Sequence, residues 1–211
     1  MQSEIIRFES RQDRPRFFSE RFGAALQGRL LDVGCDAAVL REFVGPERYT
    51  GIDISDAADI RCNLMEADRL PFEDGAFETV TCTDVLEHLE NLHAIFDELI
   101  RVSSCNVLIS LPNNWNSGRR QLRRGKGSIA HYGLPVEKPV DRHRWFFSLL
   151  EARDFLTAGA ARHGLAIEEL VVLERPRPAL VRAWRRLWAG SQETYLNLFA
   201  HTIVVVLRKP N

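Results

Sequence analysis

Short apolar runs at residues 30–33, 49–54, 77–83 and 106–111 are separated by segments with helical periodicity or turn chemistry. This alternation constrains the fold more than any other feature of the chain. Runs so short and so apolar suit strands buried on both faces, and strands alternating with helices imply a parallel sheet clad by helices. Parallel neighbours need right-handed crossovers, which gather the C-terminal ends of the strands along one rim, where a ligand binds. With weaker runs at 60–63, 165–173 and 202–208, the sequence predicts an α/β, doubly wound, mostly parallel sheet of seven strands.

Helices are predicted over 14–27, where Phe17, Phe18, Phe22 and Leu26 share a face, and over 37–44, stopped by Gly45 and Pro46. Further helices are predicted over 92–102, 148–163 and, in a basic insertion spanning 175–190, over 179–189. Residues 55–59 are too few for a crossover helix. Residues 113–141, rich in Gly, Asn, Pro and Arg, read as an irregular loop or lid. A length of 211 residues fits one domain, 1–211. The longest aliphatic run, 203–207, is too short to cross a bilayer. Glu4 and Glu9 interrupt the N-terminus, so no secretory signal is expected. Cys35, Cys62, Cys82 and Cys105 lie scattered, as reduced residues of a cytoplasmic protein would.

The net charge of −1 conceals an asymmetry. Residues 28–101 carry 6 Lys+Arg against 17 Asp+Glu, whereas residues 115–188 carry 15 against 7. Either the halves pair with each other, or the first takes a cationic ligand and the second an anionic one.

The stretch "LLDVGCDAAVL", 30–40, resembles the phosphate-binding turn of a dinucleotide fold, but Asp36 and Ala38 stand where glycines are usual. Asp32 sits near the end of the first strand and Asp53 lies 21 residues on, at the end of the second. At that spacing a carboxylate accepts from both hydroxyls of a ribose. A pyrophosphate would be repelled by Asp36 and Asp32, so the turn suits a nucleoside with no phosphate and with positive charge. S-adenosylmethionine is such a molecule, and Asp32 favours its ammonium. An NAD-dependent oxidoreductase is disfavoured by the absent glycines.

"LLDVGCDAAVL", "YTGIDIS", "LPFEDGAFETVTCTDVLEHLEN" and "NVLISLPNN" follow in an order that resembles the class I S-adenosylmethionine-dependent methyltransferases, specifically the type 11 group. The resemblance covers residues 28–112, with "DRHRWFFSLLEARDFL" and the last strand as less specific echoes. It implies a Rossmann-like methyltransferase fold with an antiparallel last strand. It also implies that Asp32, Gly34 and Cys35 line the methionyl end and that Asp53 holds the ribose. Ile54 would pack on the adenine, and the segment 63–68, with Asn63 and Leu64, would border the adenine edge. Thr83 and Asp84 would stand beside the sulfonium and the acceptor. Asp36 is expected in a left-handed conformation, which Asp tolerates, and Ala38 is expected to be tolerated at negative φ.

Asp84, His88, His131 and His143 are the candidates for a general base. Asp84, Glu87 and His88 also match an acid-x-x-Glu-His pattern with which some O-methyltransferases of this class bind a divalent cation. Acids at a helix start are explained equally by its dipole, and no metal is assigned. Arg119, Arg120, Arg123, Arg124 and Lys126 form one basic cluster, and Arg175, Arg177, Arg182, Arg185 and Arg186 another, interleaved with Trp184 and Trp188. Such clusters suit phosphate, a membrane surface or bases. The reading is a methyltransferase of a small-molecule acceptor bearing phosphate or sugar. The alternatives are an RNA methyltransferase and a non-catalytic binding subunit, the latter on account of Asp36 and Ala38.

Overall fold

The computed structural model describes residues 1–6, 13–129, 131–139 and 141–210. Its elements run β1 (Gln2–Ile5), α1 (Arg14–Phe22), β2 (Leu30–Val33), α2 (Arg41–Val44), β3 (Tyr49–Asp53), β4 (Ile60–Arg61) and β5 (Phe77–Thr83). A 3₁₀ turn (Leu86–His88), α3 (Leu92–Val102), β6 (Ser103–Pro112), α4 (Asn114–Arg124), α5 (Leu149–Arg162) and β7 (Ala166–Glu174) follow. The chain closes with α6 (Ala179–Ala189), α7 (Gln192–Phe199) and β8 (Thr202–Arg208).

The strands form one sheet in the order β1-β7-β8-β6-β5-β2-β3-β4. β8 runs antiparallel to both β6 and β7, and the other neighbours are parallel. Apolar side chains occupy both faces of β8, from Ile203 to Leu207, as a central strand requires. One face is covered by α3, α5 and α7 through Phe96, Leu99, Leu156 and Leu196. The other is covered by α1 and α2 through Phe18, Phe22 and Val44. α3 forms because Leu92, Ile95, Phe96, Leu99 and Ile100 recur on one stripe, and all five are buried. α5 opens on a capping box in which Ser148 and Glu151 satisfy each other's backbone N–H groups.

Several expectations are corrected. Among the described residues the strands number eight rather than seven, because Gln2–Ile5 adds alongside β7. The helix expected over 37–44 is reduced to Arg41–Val44, since Asp36 and Ala38 both have positive φ, 51° and 54°, which no right-handed helix accepts. The negative φ on which tolerance of the Ala38 Cβ was conditioned is not what the structure shows. α1 stops at Phe22, five residues short of the expected end. The supposed loop 113–141 contains α4, which Asn113 caps by accepting from the Asn116 N–H and which a left-handed Gly125 ends; Ala130 and Val140 of that stretch lie outside the described residues. After the basic helix α6, Ser191 caps the unforeseen α7. The β3–β4 crossover holds only turns and bends over 54–59, as its length dictated.

Candidate active site

The C-terminal ends of β2, β3, β5 and β6 meet along one rim, with Asp32 level with Thr81 and Thr83 level with Ser110. Under α1 this rim holds a cavity of about 310 Å³ lined by Arg14, Phe18, Asp32, Gly34, Cys35 and Thr83, among others. Asp32 is buried there; Tyr49 Oη donates to one carboxylate oxygen at 2.9 Å and Thr81 Oγ1 to the other at 2.8 Å. Burial pushes the carboxyl up to about 6, against the pull of those two hydrogen bonds. Burial also raises the Cys35 thiol to about 12, aided by Asp32, so the sulfur stays protonated.

The turn after β2 uses its backbone donors internally. Gly34 and Cys35 N–H groups donate to the Ile52 carbonyl, at 2.8 and 3.4 Å, and the Ala38 N–H donates to the Cys35 carbonyl at 2.8 Å. The Asp36 N–H donates to Asp53 Oδ2 at 3.0 Å, and the Ser55 N–H donates to Asp53 Oδ1 at 3.0 Å. A phosphate needs bare N–H groups aimed at it, and here those of residues 34, 35, 36 and 38 are already satisfied. The same bonds fix the Asp53 carboxylate and leave each oxygen a further lone pair for a hydroxyl. Asp36 and Ala38 are therefore compatible with a ligand that carries no phosphate.

Gly34 has φ of 75°, and a Cβ there would lie 2.4 Å from Val85 Cγ2. Gly34→Ala is expected to cost roughly 2–5 kcal/mol of stability, the sum of left-handed backbone strain and overpacking against a stiff β-branched neighbour. Thermal melting checks it: Val85→Ala in the same chain should recover part of the loss, and an unchanged melting temperature in Gly34→Ala would refute the account.

Of the other predicted ligand-binding residues, Ile54 is 56 % exposed at the rim, free to cover a base. Asn63 turns its side-chain oxygen to the Met65 N–H at 3.2 Å. The Leu64 side chain is buried in the core, and its carbonyl accepts from Asn91, so its side chain is not offered to a ligand. Asp84, at φ 53°, pairs with Arg14 of α1 and accepts from Ser110 Oγ at 2.6 Å.

The three candidate histidines come together just beyond Asp84. The His88 ring stands 4.4 Å from that of His143, which stacks on His131 at 4.5 Å. His88 Nδ1 lies 2.7 Å from Asp141 Oδ1, and the other Asp141 oxygen lies 3.5 Å from His131 Nδ1. Tyr132 Oη donates to the Trp145 carbonyl at 2.7 Å, so it accepts from His143 Nδ1–H at 2.9 Å. Burial, with His88 and His131 beside it, holds His143 down at about 4, neutral at ordinary pH. Glu87 is 1 % exposed, with Oε2 unpartnered and its carboxyl pushed well up by burial and then by Asp84. Ligand atoms of Glu87, His88 and His143 all lie within 4.8 Å of one another, so this trio, without Asp84, has the donors to hold a divalent cation. The residues the sequence did not single out are Arg14, Tyr49, Ser110, Tyr132 and Asp141; of these only Asp141 carried a signal, two positions from His143. His93 and His163 pack at α3 and α5, and His201 lies beside Arg175.

Residues 4–170 match the model of a family described as "Methyltransferase domain". A stretch of 117 residues is 28% identical to a ubiquinone biosynthesis O-methyltransferase of Chromobacterium violaceum. That match covers 46% of this chain and 46% of the relative, so the chain spans about half the length of the relative it matches. Among solved structures, a SAM-dependent methyltransferase from Archaeoglobus fulgidus superposes with a TM-score of 0.61 at 14% identity, over 95% of each chain. The cyclase SpnF superposes with a TM-score of 0.58 at 14% identity, over 100% of this chain and 87% of its own. At such identities the structural likeness establishes the fold alone.

Proposed function

The chain belongs to this methyltransferase-domain family, and on that premise we propose that it transfers a methyl group from S-adenosylmethionine to a hydroxyl of a small-molecule acceptor, one bearing phosphate or sugar. The observation that carries the reading is the rim itself: Asp53 is held by the Asp36 and Ser55 N–H groups with lone pairs left for a ribose, Asp32 is buried for a cation, and the N–H groups of residues 34, 35, 36 and 38 in the turn between them are already engaged. Transfer proceeds by in-line attack of the acceptor oxygen on the sulfonium methyl carbon; the C–S bond breaks, the thioether leaves with the bonding pair, and the hydroxyl proton passes to a base. Most of the acceleration comes from alignment in a closed cleft. His88 supplies the base: Asp141 Oδ1, 2.7 Å from Nδ1, favours the tautomer with its proton on Nδ1 and so leaves Nε2 with a lone pair. His143, held near 4, is a weak base. The O-methyltransferase relative supports an oxygen acceptor.

The test is transfer of a labelled methyl group from cofactor into a cell extract, followed by separation of RNA, lipid and small-molecule pools. Label in the small-molecule pool is expected; label confined to RNA would overturn the reading, and no transfer despite cofactor binding would favour the binding-subunit alternative. A second reading rests on the unpartnered Glu87 Oε2 beside His88 and His143: a divalent cation there would polarise the acceptor oxygen. Activity abolished by a chelator and restored by added metal selects this version; activity indifferent to chelator selects His88 alone.

Cofactor affinity is expected to depend on pH through Asp32. The ammonium needs the carboxylate, and in the empty site that carboxyl is protonated below about 6. Kd for S-adenosylmethionine should therefore rise by up to about tenfold per unit as pH falls below 6, and level off above 7. Empty-protein stability runs the opposite way: the raised carboxyl favours the folded state at low pH, and that contribution is lost as pH rises from 3.8 to about 6. Calorimetric titration between pH 5 and 8 checks the first; a flat Kd would show that Asp32 does not face the ammonium.

A further inference from the structure

We propose that α6 is a docking element that lays the protein on an anionic lipid bilayer, an inference independent of the acceptor read above. A surface helix ordinarily turns its apolar stripe inward and its charges to water. α6 does the reverse. Arg185 lies over the Phe199 ring at 4.7 Å, and Arg186 over the Tyr195 ring at 5.0 Å with Glu174 4.0 Å away. These inward arginines fasten the helix to α7. The opposite face carries Leu180, Trp184 and Leu187, which share a side by helical spacing and are 61–86 % exposed, while Trp188, 62 % exposed, borders this face and meets the Phe199 ring edge-on at 6.2 Å. Pro178 precedes the helix and a left-handed Gly190 ends it, so its bounds are set locally rather than by a partner.

The charge around this face names the occupant. α4 packs on α7 as α6 does, and Arg119 reaches the same Phe199 ring, at 4.3 Å. Residues 113–126 and 175–190 together carry nine arginines and one lysine, and neither segment contains an Asp or Glu. Arg120, Arg123, Arg124 and Lys126 are exposed. A second copy of the chain would bring the same ten cations, so self-association through this face meets like-charge repulsion. An anionic bilayer meets both demands: headgroups pair with arginine and lysine, while leucine and tryptophan enter the boundary between headgroups and acyl chains. Among the described residues no helix is long and apolar enough to cross a membrane, so the contact is peripheral.

The test is flotation of the full chain with vesicles of phosphatidylcholine, with and without phosphatidylglycerol, at low and high salt. Partition is expected to be at least about tenfold stronger with the anionic lipid and to weaken with salt. Trp184→Ser with Leu187→Ser should lower binding about tenfold, and Arg120→Glu with Arg123→Glu and Arg124→Glu should remove the preference for anionic lipid. Melting temperature and cofactor Kd, unchanged in both variants, certify the fold. Three results would overturn the proposal: no partition into anionic vesicles, a concentration-dependent dimer that the Trp184 variant abolishes, or capture of RNA without partition into vesicles.

Discussion

In His88→Gln, kcat for methyl transfer is expected to fall by about 10²–10⁴ while Kd for S-adenosylmethionine stays within threefold of the parent. The asymmetry follows from position. His88 stands on the 3₁₀ turn after β5, outside the lining of the cavity proposed for the cofactor, and its only close acid partner among the described residues besides Glu87 is Asp141. Gln fills similar space but cannot take up the acceptor's proton. Asp141→Asn should reduce kcat less, because it loosens the imidazole and its tautomer without deleting the lone pair. Rapid-quench measurement of the chemical step separates this from product release. A chemical step unchanged in His88→Gln would remove the histidine from the mechanism; a loss confined to Kd would place it in binding instead.

Asp53→Ala should weaken cofactor binding by about a hundredfold or more. Each hydrogen bond from a ribose hydroxyl to a carboxylate contributes roughly 1.5–3 kcal/mol, and two are lost. The substitution also strips acceptors from the Asp36 and Ser55 N–H groups, so Asp53→Asn is the necessary companion. Asn keeps one oxygen for the turn and loses the charge, so its affinity should fall between the parent and Asp53→Ala. Calorimetric titration measures all three. A Kd for Asp53→Asn within threefold of the parent would mean that the ribose lies elsewhere.

The rim proposed for the cofactor was legible as a place in the fold because its parts are local. Asp32 and Asp53 each close a strand whose apolar run announces it, and the 21-residue spacing fits one crossover. What was not legible came from distance. Arg14 reaches Asp84 across 70 residues; Asp141 reaches His88 from the far side of α4. Nothing in the pattern of either segment marks the pairing. The positive φ of Ala38 was not legible: it accompanies a turn that brings the Asp36 N–H to Asp53 and the Ala38 N–H to the Cys35 carbonyl, and only the first of these contacts reaches another strand. Asn, Gly and Arg disguised α4, although Asn113 and Gly125 were its cap and stop. The amphipathic pattern of α6 was visible, but periodicity gives two faces and no direction. Phe199, Tyr195 and Glu174 decide which one turns inward.

The satisfied turn after β2 bears on the company this protein keeps. ATP, ADP and NAD all present the same adenine and ribose as the methyl donor, and in the proposed site Ile54 and Asp53 would have no means of telling them apart. Discrimination would fall to the 5′ end, where a polyphosphate would meet an acid and the engaged amides of residues 34, 35, 36 and 38. A site so arranged would screen out its commonest look-alikes by offering them little to hold, so adenine nucleotides should be poor competitors however plentiful they are.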